Sequence, residues 1–380
     1  MQTNRRVFAA TEPGHRLWRL PLIIVLAACG SGGAAGTSVT GSSGNGRSPS
    51  GSSSGAPGNR GATDEVDATT PNGSDDGTPG SSGGSPSDSG APKPSPDASL
   101  APDAAGTGAP PSVVTCVPGS TLPAGDTNGS LDVGGTMRSY ILHVPSTVTA
   151  QTPVPLVLDF HPILADDNYE ASNSGYKALA DQEGFVVAFP NGIDNAWNIG
   201  PCCTMSRTVD DLGFARALVT KIEGGGCIDP KRVYAVGYSM GGGMTHYLGC
   251  NAADVFASIA PAAFDLLQES EEPCHPSRPI TELSFRGTAD PIVPYAGGAS
   301  NPPNGLNVTI HFLGAQGTFQ KWAQLNGCTG SPSAADSNGC STYSQCKDGV
   351  EVTLCTTQGG GHVTGNPQIG WAMLKKHPMP

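Results

Sequence analysis

The sequence predicts an α/β fold for its C-terminal part: a doubly wound, mostly parallel sheet in a single catalytic domain. Three observations carry this. Short apolar runs alternate with helix-patterned stretches from about residue 113 to the end. Several runs are nearly continuous in apolar residues, as strands covered on both faces require. And Gly237-Tyr238-Ser239-Met240-Gly241 stands between one such run and a helical stretch, a context in which small residues let the chain turn sharply out of a strand.

The elements follow in order. Residues 139–144 alternate and stop at Pro145, which reads as an edge strand. Residues 154–160 form a buried parallel strand, and residues 185–189 another, closed by Pro190-Asn191-Gly192. Residues 210–222 read as a helix with Asp210 or Asp211 at its N-cap and Gly224 past its end. Residues 231–236 form the strand that feeds Ser239, and a helix begins at Met240. Further strands are expected at residues 257–260, 283–285 and 350–356, and helices at 318–325 and 369–376.

The first 112 residues read differently. Residues 1–29 have the plan of a targeting segment. Arg5, Arg6, His15, Arg16 and Arg19 precede an apolar stretch, 20–26, that is too short to span a bilayer. Its end, Leu26-Ala27-Ala28-Cys29, resembles a bacterial lipobox, which predicts lipidation of Cys29 and a membrane anchor. The alternative is an ordinary signal peptide cleaved near the small residues. Either reading makes the protein exported. In residues 30–112, Gly, Ser and Pro supply 48 of 83 positions and no residue is aromatic, so the segment has too little apolar surface to offset the entropy of ordering. It reads as a disordered linker with a reach on the order of 50 Å. Residues 113–380 are 268 residues, enough for one domain with an ample core. The net charge of −12 argues against a nucleic-acid partner.

Of the 11 cysteines, ten remain if Cys29 carries lipid. An even set in an exported protein reads as a disulfide framework. Loop lengths suggest Cys250 with Cys274 and Cys328 with Cys346. The adjacent Cys202 and Cys203 are expected to bond to different partners, because a vicinal ring is strained. Cys340 and Cys346 lack the histidine pair a zinc site would use, so no metal is expected.

Ser239 supplies a hydroxyl, which is a weak nucleophile until a base removes its proton and an acid orients that base. After a Gly-x-Ser-x-Gly elbow the acid and the histidine follow in that chain order. Asp290, in a loop after a strand, fits the acid; Asp265 comes one strand too early and Glu282 lies within a strand. His362, after the last strand and preceded by three glycines, fits the base. His143 and His246 read as structural histidines, and His161 as a brace for its own loop. An oxyanion hole needs two backbone N–H groups. Met240 is expected to give one. The other should come from the loop after residues 154–160, where Pro162 has none; Ile163 is the better candidate and Leu164 the alternative.

With these motifs in place, the chain resembles the secreted feruloyl esterases and poly(3-hydroxybutyrate) depolymerases. The likeness runs through Arg138-Ser139-Tyr140, residues 155–161, Phe189-Pro190-Asn191-Gly192, Trp197-Asn198, Cys202-Cys203, residues 210–214 and 228–234, the elbow, residues 256–260, Cys274, Gly287-Thr288-Ala289-Asp290 and Gly359 to His362. The resemblance implies an α/β-hydrolase fold, a triad of Ser239, Asp290 and His362, and ester hydrolysis through an acyl-enzyme without metal or organic cofactor. It implies feruloyl or acetyl esters of plant cell-wall polysaccharide as substrates, with Trp197 near the acyl group. A polyester substrate is the alternative, and a non-catalytic surface-binding lipoprotein a further one. Two departures stand out. His161 is followed by Pro162 where the family usually has glycine, and Val363-Thr364-Gly365-Asn366 replaces a Trp-Pro-Gly common in the family.

Overall fold

The computed structural model describes Val114, Cys116 and residues 121–380 apart from 203, 205, 206, 272 and 302–308. The targeting segment, Cys29 and the linker expected at 30–112 lie outside the described residues, as does Cys203. Eleven strands and six α-helices are described: β1 Gly125–Val133, β2 Thr136–Val144, β3 Val154–Phe160, α1 Asp167–Asn173, α2 Tyr176–Glu183, β4 Val186–Pro190, α3 Asp211–Gly225, β5 Ile228–Tyr238, α4 Met240–Asn251, β6 Ser258–Ala262, β7 Thr281–Gly287, β8 Gly298–Ser300, β9 Ile310–Phe312, α5 Ala315–Leu325, β10 Cys340–Tyr343, β11 Val352–Thr357 and α6 Pro367–Leu374.

Nine strands make one sheet in the order β1-β2-β4-β3-β5-β6-β7-β11-β10. From β4 to β11 neighbours run parallel; β1, β2 and β10 join antiparallel at the two sides. This is the sheet of an α/β-hydrolase. β3, β4, β6 and β7 are buried along their length, and β5 from Val233 to Gly237, because both faces are covered. On β3, Leu156, Leu158 and Phe160 enter the core beneath α3, α4 and α5, while Val157 enters the one beneath α2 and α6. β5 divides the same way, Val233 and Ala235 against Tyr234 and Val236. A strand that feeds two cores has no polar face to alternate with, which is why its sequence is a continuous apolar run.

β2 is not the sheet edge expected from its alternation. It pairs with β4 on one side and β1 on the other. β1 escapes the sequence pattern because its solvent-facing positions and its Gly, Asp, Asn and Ser residues leave no apolar run. Its register is set by the two-residue turn Gly134-Gly135, with φ of 60° and 85°, a conformation suited to glycine, and Asp132 Oδ1 accepts the Gly135 N–H at 3.0 Å.

Side-chain anchors join the layers. The Arg138 guanidinium on β2 is buried, bonds Asp211 Oδ1 at 2.6 Å at the start of α3 and stacks 4.0 Å from the Phe214 ring centroid. Asp211 Oδ2 also accepts the Asn198 N–H. Asp210 is the N-cap of α3, accepting from Gly213 N. Four described disulfides add cross-links: Cys116–Cys227, Cys250–Cys274, Cys328–Cys346 and Cys340–Cys355. Two are the pairs that loop length suggests. Cys340 and Cys355 are directly opposite each other across β10 and β11. Cys202 is also disulfide-bonded.

Asp211→Ala should be one of the most damaging substitutions in the sheet's surroundings, because it leaves the Arg138 charge buried without its carboxylate. The expected cost is about 3–5 kcal/mol, read as a lower urea midpoint at neutral pH; an unchanged midpoint would mean the pair does not hold α3 to β2.

Candidate active site

Ser239 sits in the one-residue bend between β5 and α4, at φ 55° and ψ −121°. Such a conformation is strained for a residue with a side chain, and the surrounding bonds hold it. The Ser239 N–H donates to Ala262 O at 2.8 Å, and Ser239 O accepts from Gly243 N at 3.0 Å. The flanking glycines are sterically required. A Cβ on Gly241 would collide with the Phe160 carbonyl oxygen, and one on Gly237 with Gly241. The elbow therefore presses directly on the end of β3, where the loop expected to complete the oxyanion hole begins.

His362 and Asp290 arrive from the ends of β11 and β7. The loops that carry them are bonded to each other: Ala289 N donates to Gly360 O at 2.8 Å, Thr288 N to Thr357 O at 3.1 Å, and Gly359 N to the Thr288 hydroxyl at 2.8 Å. His362 Nε2 lies 2.8 Å from Ser239 Oγ, and its Nδ1 lies 2.8 Å from Asp290 Oδ2. Asp290 Oδ1 accepts the N–H groups of Ile292 and Val293, both at 2.9 Å. Burial alone would raise the Asp290 carboxyl, but His362 and these two N–H groups hold it below the usual carboxylate range. A carboxylate at Nδ1 keeps the proton there, so Nε2 presents its lone pair to the serine hydroxyl.

The three residues read from sequence as nucleophile, acid and base are thus brought together. Sequence reasoning missed two of their supports. Tyr238, just before the serine, donates its hydroxyl to His362 O at 2.9 Å. Arg286, fully buried at the end of β7, pairs with Asp265, donates to Val293 O at 2.7 Å and reaches Asp290 Oδ2 at 3.9 Å. An arginine within a strand that is buried along its whole length was the signal for it. Asp265 and Glu282, the competing acids, are both buried away from His362. Burial pushes Asp265 to about 6 against the pull of Arg286, and Glu282 to about 8.

The loop after β3 narrows the second oxyanion donor. Leu164 N donates to Asn195 O at 2.8 Å, so that N–H is committed. Pro162 has none, which leaves Ile163. Met240 is the first residue of α4, where an N–H has no intrahelical acceptor. His161 braces this loop: its Nδ1 donates to Pro162 O at 2.8 Å and its Nε2 accepts the Gly192 N–H at 2.9 Å. Burial pushes its pKa to about 4, so it stays neutral in that role. His246 is buried too, pushed to about 3, with the Trp322 indole donating to its Nδ1.

Trp197 does not line the site. It is fully buried, its indole N–H donates to His161 O at 2.9 Å, and its ring packs on Phe160 at 5.2 Å and His161 at 4.7 Å. The expectation of a substrate contact fails because its side chain supports the loop from behind. Among the described residues, no group of three or more acidic, histidine or cysteine side chains could hold a metal ion, and no helix is long and apolar enough to cross a membrane.

No protein-family model matches the chain. Curated relatives do. The chain is 43% identical over 250 residues to feruloyl esterase B of Piromyces equi, across 64% of this chain and 46% of that protein, so it spans under half of that relative's length. It is 30% identical over 246 residues to NocK, a predicted esterase of Nocardia uniformis subsp. tsuyamanensis, across 60% of this chain and 71% of that protein. Among solved structures, acetyl xylan esterase from Aspergillus awamori superposes with a TM-score of 0.49 at 15% identity, across 66% of this chain and 99% of that one.

Gly241→Ala is expected to destabilise the domain by about 1–3 kcal/mol or more, since its methyl group has only backbone to displace. Thermal unfolding of the variant beside wild type reads this directly; an unshifted melting temperature would show that the elbow and the β3 end can separate freely.

Proposed function

We propose, from the premise that this chain belongs to the family of α/β-hydrolase esterases that includes the feruloyl esterases, that it is a serine carboxylic ester hydrolase acting on esters of plant cell-wall polysaccharide. The observation that carries the reading is the unbroken line from Ser239 Oγ through His362 to Asp290, with both contacts at 2.8 Å. A surface-binding protein with no catalysis would have no use for that alignment.

Ser239 Oγ attacks the acyl carbonyl while His362 Nε2 takes its proton. Asp290 holds the imidazole tautomer and stabilises the imidazolium. The tetrahedral oxyanion is received by the N–H groups of Met240 and Ile163. His362 then hands its proton to the departing alcohol, and water repeats the sequence on the acyl-enzyme. His362 and the two backbone donors outweigh the burial of Asp290 and hold it anionic. Feruloyl esterase B and a bifunctional acetylxylan esterase/xylanase among the relatives support phenolic or acetyl esters as the substrate class.

The same reading includes export. The disulfides favour an oxidising compartment. The sequence at Leu26-Ala27-Ala28-Cys29 favours a lipid anchor at Cys29, with residues 30–112 as the tether and residues 113–380 as the catalytic domain.

Turnover of methyl ferulate, p-nitrophenyl acetate and a poly(3-hydroxybutyrate) suspension by the oxidised protein tests the activity. Ser239→Ala should lose about 10⁴-fold or more in kcat. Preference for methyl ferulate supports the cell-wall assignment, preference for the polyester replaces it, and no turnover of any ester by folded protein sinks the esterase reading. Ile163→Pro, which deletes the second oxyanion donor, should lower kcat by about 10²–10³-fold, whereas Ile163→Ala keeps the N–H and should remain near wild type. Equal loss in both would move the donor elsewhere.

A further inference from the structure

Two buried carboxyl groups stand at the stems of the oxyanion loop, and the triad uses neither. Asp159 is the last residue but one of β3, and Glu170 lies in the first turn of α1, so residues 160–166 span the gap between them. Asp159 is 1% exposed and Glu170 2%. Their side chains line one cavity of about 20 Å³ behind the elbow. Asp159 Oδ2 is fully buried and meets no N–H or hydroxyl donor. A buried carboxylate oxygen facing a second carboxyl lacks a donor unless that second group carries a proton.

The surroundings offer no other neutralisation. Ser174, in the turn after α1, lines the same cavity, and its hydroxyl accepts the Tyr176 N–H. Tyr176 from α2 and Tyr238 from the end of β5 face the pair, and the charge of one or other carboxylate helps raise both phenols. Among the described residues, no lysine, arginine or histidine pairs with either carboxyl. Burial pushes Asp159 to about 7 and raises Glu170 well above the usual carboxylate range, with the charge of Asp159 raising Glu170 further. Two like charges in this space would push the loop stems apart.

The far side of the same loop is already tied down. Trp197, Gly192 and Asn195 bond to His161 and Leu164. The carboxyl pair fastens the side that leads into α1.

We propose that Asp159 and Glu170 are positioning residues that share one proton, and that this proton joins the two stems of the loop and so keeps the Ile163 N–H on the reacting oxygen. The proposal rests on the esterase reading. Its pH sense follows from linkage. A carboxyl whose folded pKa is raised favours the fold fully below the unfolded value of about 4 and loses that contribution as pH rises through the folded value. The clamp is therefore intact in acid and at neutrality and opens on the alkaline side, as Glu170 loses its proton.

The test is kcat and KM for p-nitrophenyl acetate across the neutral and alkaline range, in wild type, Glu170→Gln and Glu170→Ala, with Ser239→Ala as background. The glutamine amide donates to Asp159 at every pH. Glu170→Gln should keep kcat within about twofold at neutrality and lose the alkaline decline of the wild type. Glu170→Ala should lose about 10- to 100-fold in kcat with little change in KM. Infrared difference spectra should contain the carbonyl stretch of a buried protonated carboxylic acid in wild type, lost on raising the pH and absent from Glu170→Gln. An alkaline limb in Glu170→Gln identical to wild type, a wild-type kcat in a folded Glu170→Ala, or the absence of the acid band overturns the proposal. If Glu170→Ala does not fold, the glutamine profile and the infrared band decide. Absence of any Ser239-dependent turnover sinks the esterase reading itself and the positioning role with it, an outcome distinct from turnover without the acid band.

Discussion

The backbone contact between the elbow and the end of β3 is the constraint on which the rest of the site depends. Gly241 lies so close to the Phe160 carbonyl that no side chain fits between them. That contact fixes Ser239 relative to residues 160–166, the loop that carries Ile163. It also fixes the parallel neighbours β3 and β5 at their C-terminal ends, where Phe160 pairs with Gly237. The strain at Ser239 is held in place by that packing together with the bond from its N–H to Ala262 O. Ser239 is thus positioned by three adjacent strands at once, β3, β5 and β6.

The acid and base are held by a different device. Their loops leave β7 and β11, which are also parallel neighbours, and bond to each other before either reaches the serine. Gly287 leaves room for the carbonyls of Gly360 and Gly361 against β7. Asp290 and His362 are therefore joined through their loops, and Tyr238, the residue before Ser239, bonds to the same unit at His362 O. Arg286 braces the same unit from below, between Asp265 and the Val293 carbonyl. A triad drawn from three distant parts of the chain becomes a pair of rigid pieces in contact.

How much of this was legible in the sequence depends on where the information resides. β3 and the helix starting at Met240 can be read from local pattern, because an apolar run or a glycine-flanked serine has few alternative meanings. Ser239, Asp290 and His362 can be ordered by chain logic, and the structure brings them within hydrogen-bonding distance. β1, α1 and α2 could not be read so easily. β1 owes its place to pairing with β2 rather than to its own residues, and α1 fully buries only Asp167 and Glu170, with Ala171 its one apolar contact to the core. Trp197 was misread because an indole near a catalytic loop suits either side of it, and only the packing against Phe160 and His161 decides. The sequence already favours Ile163 over Leu164; what no local pattern encodes is the long-range bond from Leu164 N to Asn195 O that commits the alternative N–H.

The Cys116–Cys227 bridge has a mechanical meaning. The described chain enters the domain ahead of β1, an outer strand held by β2 alone. Without the bridge, a pull on the preceding chain would load β1 in the geometry that opens a hairpin one hydrogen bond at a time. With it, the force enters at Cys227, next to Ile228 at the start of β5, a strand flanked by β3 and β6 and buried in both cores. The load then bears on the middle of the sheet in shear, where many bonds must yield together. A domain tugged through its N-terminal side would resist from a central strand rather than from its outermost one.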